Sequence, residues 1–128
     1  MPTSLPPTVL TFVADHIRSL EELQLLMAVI RAPERWWDAA TAARELILPL
    51  GVARRVLDHF ASHNLLDIRI TGDVRYQFRP GTDELRAAAR ACVEAYNAHP
   101  QEVVELVKRK TPVRDFSDAF RIRRDDDR

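Results

Sequence analysis

Only a few residues in this chain have types and spacings that could do chemistry. His59 and His63 stand four apart, which places two imidazoles on one helix face, within reach of a shared metal ion. Neither the glutamate of a His-Glu-x-x-His motif nor a third ligand accompanies them, so no metal is expected. Cys92 is the single cysteine. It falls on an apolar helix face without a nearby sequence partner, which reads as a packed thiol rather than a nucleophile. Asp125, Asp126 and Asp127 form a terminal charge run of the kind usually left in solvent. Trp36 and Trp37 suggest a ligand cage, yet the simpler expectation is that one plugs the core and the other is partly exposed. There is no Gly-rich phosphate loop and no cofactor is implied. The chain is expected not to be an enzyme.

The arginines are more informative. At about 100° per residue, Arg54, Arg55, Asp58 and Ser62 fall on one side of a helix, with His59 at the edge. Val52, Ala53, Val56, Leu57 and Phe60 fall on the other, and His63 lies nearer to them. Arginine can reach guanine edges or phosphates, and aspartate can accept from cytosine. Arg69, Arg75 and Arg79 alternate with apolar residues downstream, and arginine suits phosphates and narrow minor grooves. The same residues also fit an ordinary solvated face, with Arg54 and Asp58 as an i,i+4 pair. One feature weighs against base reading. The turn Leu48-Pro49-Leu50-Gly51 offers no polar side chain, although the first turn of a recognition helix often carries the base contacts.

These side chains need elements to position them. After a proline-rich start, residues 8–17 have the apolar spacing of a short helix, and Ser19 with Glu22 makes a capping box for a second helix to about 31, ended by Pro33. Trp36 and Trp37 fit a small edge strand. Asp38 suits the N-cap of a helix over 39–47, and Pro49 with Gly51 marks a tight turn. A further helix follows from about 50 to 64, with Asn64 as a left-handed cap. The period then changes to two over 66–70 and 74–79, around Thr71-Gly72-Asp73, which predicts a hairpin. Residues 82–98 and 101–110 read as helices, and Val113, Phe116 and Phe120 space a last short one. The fold class is mainly α with a small β-hairpin. It divides into a tail and short helix over 1–18, a helix-turn-helix with a wing over 19–82, and a helical extension over 83–128.

Composition sets the bounds. The 128 residues include 46% hydrophobic and 30% charged side chains, enough for one core with a soluble surface. Basic and acidic residues number 19 each, which argues against a general polyanion binder. A mild basic surplus sits in 51–82, with five basic and three acidic residues. A lone cysteine, no signal-like start and no long apolar run predict a cytoplasmic protein without a membrane partner.

Helix, short strand, helix, tight turn, helix, hairpin is the order of a winged helix-turn-helix. The chain resembles that superfamily, especially small bacterial regulators of the MarR and PadR kind. The resemblance is carried by Trp37-Asp38-Ala39-Ala40-Thr41-Ala42-Ala43-Arg44-Glu45-Leu46, by Val52-Ala53-Arg54-Arg55-Val56-Leu57-Asp58-His59-Phe60 and by Asn64-Leu65-Leu66. The ending from Phe116 to Arg124 is also similar to that of a group of small bacterial winged-helix proteins. The resemblance implies a DNA-binding transcriptional regulator with a recognition helix at about 50–64 and a wing at about 66–79. Its partner would be double-stranded DNA, contacted by Arg54, Arg55, Asp58, His59, Ser62, Arg69, Arg75 and Arg79. A homodimer is expected, because two-fold dimers read two half-sites and because Val9, Phe12, Val13, Ile17, Val93, Tyr96, Val103, Val107, Phe116 and Phe120 supply apolar faces outside 20–80. The alternative is a winged-helix protein-interaction module without DNA binding, since one fold hosts many functions.

Overall fold

The computed structural model describes the backbone of residues 5–119 and the side chains of residues 5–109. Six helices and one hairpin follow in the order α1 (Pro7–His16), α2 (Leu20–Arg31), α3 (Ala39–Leu46), α4 (Leu50–Ser62), β1 (Leu66–Thr71), β2 (Asp73–Phe78), α5 (Asp83–Ala98) and α6 (Pro100–Ala119). The molecule is therefore mainly α with a small antiparallel hairpin.

Local chemistry sets most boundaries. Pro7 opens α1, where its fixed φ and missing N–H cost nothing. Ser19 Oγ accepts from the Glu22 amide at 3.2 Å. The other arm of the expected capping box is redirected, because the Glu22 carboxylate accepts from the Arg18 amide at 2.7 Å and from the Arg18 side chain at 3.0 Å. Asp38 caps α3 by accepting from the Thr41 amide at 2.7 Å. That hydrogen bond holds the Asp38 carboxyl below its usual pKa. Asn64 takes the left-handed conformation expected of it, with φ 67°. Helix α6 runs unbroken to Ala119, where sequence spacing predicts a separate short helix after residue 110. Pro112 forgoes one ladder hydrogen bond there without ending the helix.

The hairpin pairs Leu66 with Phe78 through to Thr71 with Asp73, so Gly72 alone forms the tip, at φ +99°. A glycine there avoids the Cβ clash that any other residue would meet. Trp37 adds a one-residue third strand. It exchanges two 2.7 Å backbone hydrogen bonds with Tyr76.

One core joins all these elements. Phe60, Leu57 and Val56 of α4 meet Val9, Val13 and Ile17, together with Leu23, Leu25, Leu26 and Val29 of α2 and Leu65, all fully buried. Helix α1 packs chiefly on α5, and α6 packs on α5, α1 and α2. This corrects the basis of the dimer expectation. Val9, Phe12, Val13, Ile17, Val93, Val103 and Val107 are buried within their own chain and Tyr96 is half-buried against the same core, so these residues leave little apolar surface for a second copy. The side chains of Phe116 and Phe120 lie outside the described residues.

Candidate functional site

The inward side of α4 is closed. His59, expected at the outer edge, turns inward. Its side chain is 8% exposed, and its Nε2 lies 2.8 Å from the His16 carbonyl and 3.5 Å from the Glu22 carboxylate. That placement removes it from any surface contact. His16 and His63 bring their Nδ1 atoms to 2.8 Å, so one of the two donates. Burial is the main cause of a lowered His63 pKa, with the neighbouring His59 adding to it. These contacts pin the end of α1 to the end of α4. Among the described residues, no group of three or more metal-binding side chains converges. Cys92 is fully buried, and burial pushes its thiol up to about 12.

The outward side of α4 forms one wall of a groove of about 660 Å³. Leu50, Arg54 and Asp58, spaced by four, line this wall. The wing lines the other with Ile68, Ile70, Val74 and Tyr76, and Ala39 and Ala40 of α3 contribute as well. Register explains the wing's part: Ile68 pairs with Tyr76 and Ile70 with Val74, so all four project from one face of the ribbon. The described residues include five exposed large hydrophobics, namely Ile47, Leu50, Ile68, Ile70 and Val74. Four of them line this groove. The fifth, Ile47, is 89% exposed and sits three residues before Leu50. It ends α3 at φ 56°, a left-handed conformation that is costly for a β-branched residue. A more open depression of about 690 Å³ lies between α1 and the start of α5, and none of the five lines it.

The remaining expected contact residues divide sharply. Arg54 and Arg55 are exposed, with no ion pair to another described residue. Asp58 accepts a short hydrogen bond from the Tyr76 hydroxyl. Burial, aided by that bond, raises the Tyr76 pKa to about 12. Ser62 is exposed, and its hydroxyl donates to the His59 carbonyl at 2.8 Å. Each wing arginine already has a companion. Arg69 lies over the Trp36 ring at 4.3 Å, Arg75 meets Asp73 at 3.2 Å and Arg79 meets Asp67 at 3.5 Å. Such surface pairs contribute little as bonds, but each carboxylate cancels charge that a phosphate would otherwise meet. Trp37 is buried as the core plug, under Arg35 at 3.8 Å, and its Nε1 has no hydrogen-bond partner among the described residues.

Sequence reasoning noticed the apolar turn at 48–51 and the alternation of the wing. It missed that the two meet in one uncovered surface. The signal lay in strand length: each strand runs six residues, more than the helices at its base can cover. Comparison with protein-family models, with curated proteins and with solved structures finds no match to this chain. Among the described residues, no helix is long and apolar enough to cross a membrane.

Proposed function

We propose that this chain is a winged-helix protein-interaction module that docks a protein partner in the groove between α4 and the wing. The observation that carries this reading is the gathering of exposed large hydrophobics on one face. Leu50, Ile68, Ile70 and Val74 line a single groove, and contiguous apolar surface rimmed by polar groups is typical of protein contacts. The same residues occupy the place where a recognition helix and wing would straddle a duplex. There they would meet phosphates and water rather than apolar surface. The balanced charge and the companioned wing arginines support the same conclusion.

A second reading, a DNA-binding regulator, rests on Arg54 and Arg55, which are exposed on the outer face of α4 with no ion pair to another described residue. Photo-crosslinking in cells separates the two. A benzophenone side chain at position 70 is expected to give a discrete protein adduct that disappears with Val74→Lys. A crosslinker at exposed Glu21 should not give that adduct. Nuclease-sensitive adducts at position 70, together with salt-sensitive duplex binding lost in Arg55→Ala, would replace this reading with the regulator.

A further inference from the structure

Resting on the docking reading, we infer that the occupant of the groove is a second copy of this chain, related by a two-fold axis that sets Arg54 of each copy against the partner's Asp58. The contact lies on a different face from the α1, α5 and α6 surfaces on which the sequence pattern predicts a dimer. Its apolar part is Leu50, Ile68, Ile70 and Val74, with Ile47 three residues before the first of them. These are all the exposed large hydrophobics among the described residues. Two such faces cover one another, and each removes from water what the other leaves bare.

The charges point to the same occupant. Asp38, Asp58 and Asp73 line the groove along with Arg54. Asp73 is already met by Arg75 at 3.2 Å. Asp38 and Asp58 accept only from neutral donors, the Thr41 amide and the Tyr76 hydroxyl. Arg54 and Arg55 beside it are exposed, with no ion pair to another described residue. The face therefore presents two carboxylates without a cation and two cations without a carboxylate. A strongly acidic or basic occupant would satisfy one sign and oppose the other, whereas a copy of the same face supplies both. The order of charges along α4 fixes the arrangement. Arg54 and Asp58 stand one turn apart on its exposed side. A parallel apposition would set like charges together. An antiparallel one, with the axis midway between the two residues, makes two Arg–Asp pairs at once, because an isologous contact repeats every pair. Tyr76 occupies only Oδ1 of Asp58, which leaves Oδ2 for the partner's Arg54. Taking a charge out of water is costly unless it is paired, and here each is paired as the apolar side chains close.

Light scattering on the full chain at micromolar concentrations is expected to show a dimer. Ile70→Lys, at a side chain that is 74% exposed and therefore not needed for folding, should weaken it by roughly tenfold or more. Arg54→Asp and Asp58→Arg should each dissociate, since each sets like charges together across the axis. Circular dichroism checks that all three variants are folded. Mixed in equal amounts, the two charge variants should form a heterodimer, because each then supplies the sign that the other lacks. A monomeric wild type would overturn the inference, as would a dimer indifferent to Ile70→Lys or a mixture that stays monomeric. The docking reading is judged separately, by the photo-crosslinker at position 70. An adduct with a different protein, given by a chain that is itself monomeric, would keep the groove as a docking site and replace the occupant. No protein adduct at all would remove the docking reading as well.

Discussion

The two ends of the hairpin carry the same kind of sequence and meet opposite fates. At the base, Leu66 and Phe78 are buried against α4 and the core, and toward the tip Ile70 and Val74 continue the same alternation on the same face and stand exposed; the pair between them is split, with Tyr76 buried and Ile68 exposed. Apolar periodicity therefore decides which face a residue joins. Whether that face is covered depends on how far the neighbouring helices reach. Where they stop short, the uncovered part is available for an intermolecular contact.

Paired truncations give the largest effect. Phe78→Ala at the base should cost about 3–5 kcal/mol, as for a large buried aromatic. Ile70→Ser at the tip should stay within about 0.5 kcal/mol of wild type. Urea midpoints measure both, and a tip truncation as costly as the base one would mean that the tip is packed in solution.

Tyr76→Phe probes the junction between the two ends. It removes the hydroxyl that holds Asp58 at the edge of the groove, and a hydrogen bond to a charged group contributes about 1.5–3 kcal/mol. The exposed Asp58 can turn to water instead, so a loss near the lower end of that range is expected. No loss at all would detach the wing from α4.

The smallest effect belongs to the closed side of α4. His63 has a folded-state pKa below its ordinary 6.5. Above pH 6.5 the imidazole is neutral in both states and stability is complete. As pH falls below that value the unfolded chain takes up the proton first, so stability declines until the folded-state value is passed. Unfolding curves at pH values bracketing 6.5 should show this decline, and His63→Gln should flatten it. An unchanged slope in the variant would assign the pH dependence to other groups.

Most of the fold could be read from the chain because local signals agreed with one another. Ser19 and Asp38 cap the helices they were expected to cap, Asn64 is left-handed, and the wing follows its period of two. The inward set of α4, from Ala53 to Phe60, matches the helical wheel. The site was less legible, since burial is a property of distant neighbours. His59 lies at the wheel's edge, and only the approach of α1 and α2 draws it inside. Val9 and Val103 look like surplus when sequence distance is the guide, yet the return of α5 and α6 covers them. Asp73 stands two residues from Arg75 on the same strand, a pairing visible in the sequence, whereas the contact of Asp67 with Arg79 depends on strand register. Ile47 gave no warning of its left-handed backbone, a conformation usually left to Gly or Asn.

Trp37 and Asp38 are adjacent in the chain and do two different jobs. Trp37 is bonded into the sheet through both of its backbone groups, and Asp38 caps α3. The wing and the start of α3 are therefore joined with no slack between them, and these two sides of the groove cannot drift apart without breaking a strand bridge or a helix cap. A partner docking as proposed would meet a surface whose shape is already set, so association would cost this face little ordering entropy, and discrimination would rest on fit rather than on rearrangement of the groove.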